Sequence, residues 1–122
     1  MNDPINEALK LQQTASKYGF DWTNIQSVFE KLQEEIEEIK EEIERSDKLK
    51  IEDEFGDLLF QCLNLSRHLK IDPKEALIRA SKKFQRRFTH VLHLAQKENL
   101  SLDLLTEERL IDLWNEAKKS TC

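Results

Sequence analysis

Apolar residues recur every three to four positions along almost the whole chain, the spacing of helices that turn one face inward, so the expected class is all-α. Punctuation divides the pattern into about five helices. Asp3-Pro4 opens the first, with proline at the first helical position where its missing N–H costs nothing, and Gly19 closes it as a left-handed cap. After the loop GFDWT, Thr23 and Gln26 have the spacing of a capping box for a second helix of about twenty residues. A short break at Ser46-Asp47 leads into helix three, which runs to about Leu69. Asp72-Pro73-Lys74-Glu75 combines cap, N1 proline and N3 glutamate, and helix four follows to about Glu98. The looser stretch NLSLDLLT precedes helix five, capped by Thr106 and ending near Lys119. No internal repeat of fixed period interrupts this order. The expectation is a single domain over 1–122, since a chain of this length hides roughly two-thirds of its unfolded surface.

Projected at about 100° per residue, helix two shows an apolar face of Ile25, Val28, Phe29, Leu32, Ile36, Ile39 and Ile43. Glu34 and Glu41 point away from it and read as solvated, whereas Glu35, Glu38 and Glu42 share one flank bordering it. Each like-charge pair at i,i+3 or i,i+4 costs a few tenths of a kcal/mol, which basic partners or a bound cation must offset. In helix three, Ile51, Phe55, Leu58, Leu59, Phe60, Cys62, Leu63, Leu65 and Leu69 cover most of the circumference, which predicts burial. One polar stripe breaks it: Glu54, Asp57, Gln61, Asn64 and His68. Carboxylates on a buried helix must meet a cation, a metal or water. Gly56, between Glu54 and Asp57, predicts a close approach of helices there. His68 lies two turns or more beyond the acids and reads as a hydrogen-bonding residue. In helix four the expected buried face is Leu77, Ala80, Phe84, Phe88, Val91 and Ala95, flanked by Arg79, Lys83, Arg87 and His90. In helix five, Trp114 and Lys118 stand four apart beside a core of Leu110, Leu113 and Ala117.

Charge changes the picture more than composition does. Charged residues make up 35% of the chain and hydrophobic ones 39%, with a net charge of −5. Two glycines and two prolines argue against a turn-rich β-sandwich or a Rossmann fold. The longest apolar run, Leu58-Leu59-Phe60, cannot span a bilayer, and MNDPINEALK lacks the layout of a secretory signal. Cys62 and Cys122 belong to no CxxC pair and read as thiols of a reducing cytoplasm. Residues 30–44, however, hold eight glutamates relieved only by Lys31 and Lys40, while residues 76–97 hold six basic residues and no acid. Either these helices pair with each other, or a cation site faces an anion site. Glu35/Glu38 and Glu54/Asp57 on facing helices would make an all-oxygen cage, which suits Mg²⁺ or Mn²⁺ rather than zinc. A di-iron bundle would want histidine in an ExxH arrangement, and Glu38 and Asp57 stand in those places. Mg²⁺ with a polyphosphate satisfies acidic cage and basic side chains together. Nucleic acid fits a net acidic chain poorly.

The ordered set GFDW (19–22), EEIEE (34–38), EFGDLLF (54–60), NLSRHL (64–69), KFQRRF (83–88) and the final LW…AKK resembles the MazG-type nucleoside triphosphate pyrophosphohydrolases, over about Leu9 to Lys119. It is similar to the catalytically competent second domain of the two-domain members. The resemblance implies an all-α oligomer, read here as a homodimer with a tetramer as the alternative. It implies Mg²⁺-dependent hydrolysis of NTPs or dNTPs to monophosphate and pyrophosphate, with Mn²⁺ able to substitute. Glu35, Glu38, Glu54 and Asp57 would be the catalytic metal ligands, with Glu34 outside the direct contacts. Lys83, Arg87, Trp114 and Lys118 match positions that line the nucleotide site in this family, and Phe20, Trp22 and Asn64 are candidates for a base or sugar pocket. The competing expectations are a nucleotide sensor and a non-catalytic helical interaction module, neither of which would release pyrophosphate.

Overall fold

The computed structural model describes residues 3–120, so Cys122 lies outside the described residues. It contains five α-helices: α1 (Pro4–Lys17), α2 (Ile25–Arg45), α3 (Lys48–His68), α4 (Pro73–Lys97) and α5 (Glu107–Ser120), with a 3₁₀ turn at Leu102–Leu104 before α5. They fall into two compact units, one ending at Lys74 and the other beginning at Glu75. Among the described residues, no helix is long and apolar enough to cross a membrane.

In the first unit, side-chain caps set the helix boundaries. Asp3 Oδ1 accepts from the Ile5 amide at 2.9 Å at the start of α1, and Gly19 takes φ +82° just beyond its end, as its sequence predicts. The cap of α2 is Asn24 rather than Thr23, because its Oδ1 accepts from the Ser27 amide at 2.9 Å. Asparagine is also the stronger cap. Asn24→Ala should therefore lower unfolding free energy by about 1 kcal/mol while Thr23→Ala stays within roughly 0.5 kcal/mol. Urea denaturation checks this, and the reverse order would return the cap to Thr23.

Ser46, in the left-handed region at φ 57°, ends α2, and Asp47 caps α3 through the Lys50 amide at 3.2 Å. Only these two residues join the helices, so α2 and α3 form an antiparallel hairpin. Counting outward from the turn at about 1.5 Å per residue brings Glu38 and Glu54 to within about one residue of the same height. α1 lies against α3, where Gln12 Nε2 donates to the Phe60 carbonyl at 2.9 Å.

The second unit closes around Val91, Leu113 and Ala117, with Leu94, Leu102, Leu105 and Trp114 packed against them. Asn99, at φ 53°, turns the chain out of α4, and the Leu100 amide donates back to the Ala95 carbonyl at 2.8 Å. Thr106 Oγ1 caps α5 by accepting from the Arg109 amide at 3.2 Å.

Burial departs from the sequence pattern. α2 buries Val28, Glu35 and Glu42, seven residues apart, while Ile25, Phe29, Ile36 and Ile43 remain 37–56% exposed. The hairpin packs on the glutamate flank rather than on the apolar stripe. Helix α3 is not buried all round either, since Phe55 and Leu59 are half exposed. On α4, Leu77, Ala80, Phe84 and Phe88 stay exposed and only Val91 and Ala95 are buried, and on α5 Leu110 is likewise exposed. Gly56 makes no close approach: a Cβ there would meet open space.

Candidate functional site

The hairpin register converges three carboxylates. Glu35 is 3% exposed, Glu38 and Glu54 are half-buried, and each offers an oxygen within 4.8 Å of the others. Negative charges this close repel. The Glu54 carboxylate that shares a hydrogen bond with Glu38, together with burial, pushes the Glu38 carboxyl above its ordinary range. Lys31 Nζ sits 3.0 Å from Glu35 Oε1, and that pairing raises the lysine's own pKa. The second oxygens, Oε2 of Glu35 and of Glu54, are buried with no hydrogen-bond partner. An ionised carboxylate only accepts, so buried orphan oxygens on two helices call for a cation between them. An all-carboxylate donor set fits a hard divalent ion.

The fourth predicted ligand falls outside this cluster. Asp57, one turn along α3 from Glu54, is exposed and is not brought to the three glutamates. Glu34 is exposed, 3.6 Å from Lys31. The acid crowding of α2 is answered within the helix by Lys31, by Lys40 on Glu37 at 3.2 Å and by Arg45 on Glu42 at 2.9 Å.

In the second unit, Trp114 is held in an aromatic group: Phe84 lies 5.3 Å from it between ring centroids and stacks on Phe88 at 5.9 Å. The Arg87 guanidinium carbon stands 5.8 Å over the indole, a cation–π contact, while its Nε is buried without a partner. Lys83 and Lys118 are exposed. Arg87 and Trp114 are thus in contact with each other, at the edge of the core on which Trp114 packs.

A cavity of about 520 Å³ opens in the first unit, lined by Phe20, Trp22, Phe60, Gln61, Asn64 and Arg67 among others. The three residues expected in a base or sugar pocket therefore share one cavity. Spacing and charge pattern do not mark Arg67, yet it organises the wall. It grips both oxygens of Asp21 at 2.9 and 3.0 Å and donates to Asn64 Oδ1 at 2.7 Å and Gln12 Oε1 at 3.2 Å. That grip, with His68 Nε2 at 3.2 Å, holds the Asp21 carboxyl well below the usual carboxylate range. His68 is a hydrogen-bonding residue, as expected. The signal available in the sequence was Gln12, a polar residue on the helix face shared by Ala8 and Ala15.

Residues 23–92 match the MazG nucleotide pyrophosphohydrolase domain. The chain is 43% identical over 114 residues to the nucleoside triphosphate pyrophosphohydrolase/pyrophosphatase MazG of Thermotoga maritima, an alignment covering 93% of this chain and 44% of that protein. It is 37% identical over 117 residues to the nucleoside triphosphate pyrophosphohydrolase of Escherichia coli K12, covering 94% of this chain and 44% of that protein. The chain thus spans less than half the length of these curated relatives. Since the family's segment covers more than half of the sequence and contains all three clustered glutamates, the chain belongs to the MazG nucleotide pyrophosphohydrolase domain family.

Proposed function

We propose that this chain hydrolyses nucleoside triphosphates, ribo or deoxy, to the monophosphate and pyrophosphate with Mg²⁺, as a nucleotide-pool housekeeping enzyme of the cytoplasm. The observation that carries the reading is the Glu35–Glu38–Glu54 cluster with its two unpartnered buried oxygens. These three residues would hold the ion directly, with Asp57, exposed on the next turn of α3, facing it from outside their cluster. Mn²⁺ would serve in the same oxygen cage. When bound, the cation supplies Lewis acidity at the α-phosphate and a lowered pKa for the attacking water. Glu34, exposed beside Lys31, stays outside the direct contacts. Lys83, Arg87 and Lys118 bind the phosphates and neutralise the leaving pyrophosphate, and Trp114 offers the nucleotide a flat face. Phe20, Trp22 and Asn64 receive the base or sugar. The whole of 1–122 acts as one domain, in a homodimer, with a tetramer as the larger alternative.

The test is purified protein with a panel of NTPs and dNTPs and Mg²⁺, with products resolved by ion-exchange chromatography. Monophosphate with pyrophosphate, abolished by EDTA, is expected. Diphosphate with orthophosphate would overturn the bond assignment while keeping the metal site. No product from any nucleotide would leave a sensor or an interaction module instead.

A further inference from the structure

The polar wall of the cavity in the first unit has a single hydrogen-bonding sense, and Arg67 imposes it. A guanidinium has donors and no acceptor, so every amide that touches it must turn its oxygen inward. Arg67 Nε takes Gln12 Oε1 at 3.2 Å and Nη2 takes Asn64 Oδ1 at 2.7 Å. Their amide nitrogens therefore point away: Gln12 Nε2 donates to the Phe60 carbonyl at 2.9 Å, and Asn64 Nδ2 donates to Gln61 Oε1 at 3.0 Å. That last bond engages the Gln61 oxygen in turn and leaves Gln61 Nε2, two N–H groups, at the end of the chain of amides. The carboxylate at the cavity offers little in compensation. Both Asp21 oxygens are on the guanidinium, and Oδ1 also takes the Trp22 amide at 2.8 Å and faces His68 Nε2. What remains for a ligand is a set of N–H donors on one wall and the rings of Phe20, Trp22 and Phe60 elsewhere. At about 520 Å³ the cavity lies within the ~300–1,000 Å³ of small-molecule sites.

We propose that this cavity selects its nucleobase by donors alone, through Gln61 and Asn64, favouring a base that presents a carbonyl oxygen over one that presents an exocyclic amine, with Arg67 as the positioning residue that fixes the amide sense. The proposal rests on the pyrophosphohydrolase reading above. An amine entering this wall sets N–H against N–H, and discrimination is large where a site leaves polar groups unpaired with the wrong substrate. Adenine, which has no carbonyl oxygen, is the disfavoured base.

The test compares kcat/KM for dITP and dATP on the full chain with Mg²⁺. The two bases share size and ring and differ at the 6-oxo or 6-amino edge. Wild type should favour dITP by about tenfold or more. Gln61→Glu keeps an oxygen for Asn64 and replaces the terminal donor by an acceptor, so the preference should invert toward dATP. Arg67→Lys loses the planar fork and frees the amides to turn, so the ratio should fall toward one while far-UV circular dichroism is unchanged. Should Arg67→Lys fail to fold, the inversion in Gln61→Glu carries the test. Equal kcat/KM for the two nucleotides in wild type overturns the selection and leaves the pyrophosphohydrolase reading intact. An unchanged ratio in Gln61→Glu, or an equal loss on both substrates in Arg67→Lys, overturns it as well. No turnover of any nucleotide overturns both readings.

Discussion

Glu38→Gln should reduce Mg²⁺-dependent pyrophosphate release by roughly 10³-fold or more and, at the same time, raise the melting temperature of the metal-free chain. The two effects have opposite signs because one carboxylate causes both. Glu38 shares a small volume with Glu35 and Glu54, and its carboxyl is held above the ordinary range, first by Glu54 and then by burial. A group whose pKa is raised on folding contributes stability below its unfolded value and loses it as pH rises through the folded value. The metal-free chain is therefore destabilised by Glu38 at neutral and alkaline pH, where a bound cation would offset the repulsion. The rise in melting temperature on adding Mg²⁺ should accordingly grow with pH, since metal and proton compete for the same oxygens. Glutamine keeps a hydrogen bond to Glu54 and removes the charge, so the variant should be more stable without metal and gain less from adding it. Thermal melts with EDTA or Mg²⁺ at several pH values, beside the product assay, read every part of this. A variant that lost stability without metal would make Glu38 a structural residue, and one with wild-type turnover would remove it from the metal site.

The glutamate cluster was legible because it is local twice over. Glu35 and Glu38 are one turn apart, and the two-residue turn at Ser46-Asp47 sets Glu54 opposite them without reference to anything distant. Asp57 reads as the equal of Glu54 on spacing, but three residues at about 100° each leave it some 60° around the helix, and it stays exposed. The Arg67 network is mostly non-local: apart from Asn64, one turn back, its partners Asp21 and Gln12 are 46 and 55 residues away. Wheel projection also failed in a specific way on α2. It separates apolar from polar positions correctly, but it is silent on which neighbour covers each face. The hairpin covers Val28, Glu35 and Glu42, and the apolar stripe is left for another surface. Gly56 shows the same limit, since a helical glycine reads as a close approach that α1 and α2 do not make.

Ile36→Asp should dissociate the protein in solution. The described residues include five buried apolar side chains, Val28, Val91, Ala95, Leu113 and Ala117, against twenty-two large hydrophobic residues that are more than a third exposed. A water-soluble monomer seldom leaves so much apolar surface uncovered. On α2 the exposed stripe has the spacing of a helix that lies along another: Phe29, Ile36 and Ile43 recur every seven residues at 43%, 42% and 56% exposure. Two copies meeting about a two-fold axis would cover the stripe, and each substitution would then count twice. An unpaired carboxylate buried there costs about 3 kcal/mol in each subunit, which raises the dimer dissociation constant by at least ~10³-fold. Sedimentation equilibrium should show a wild-type dimer whose melting temperature rises with protein concentration, and an Ile36→Asp monomer that melts at a lower temperature. Glu41→Gln, exposed on the same helix and pointing away from the stripe, should change neither. A monomeric wild type with a concentration-independent melting temperature would show that the stripe is not a subunit interface, and the two glutamate-bearing helices would then have to stand on the hairpin contacts alone.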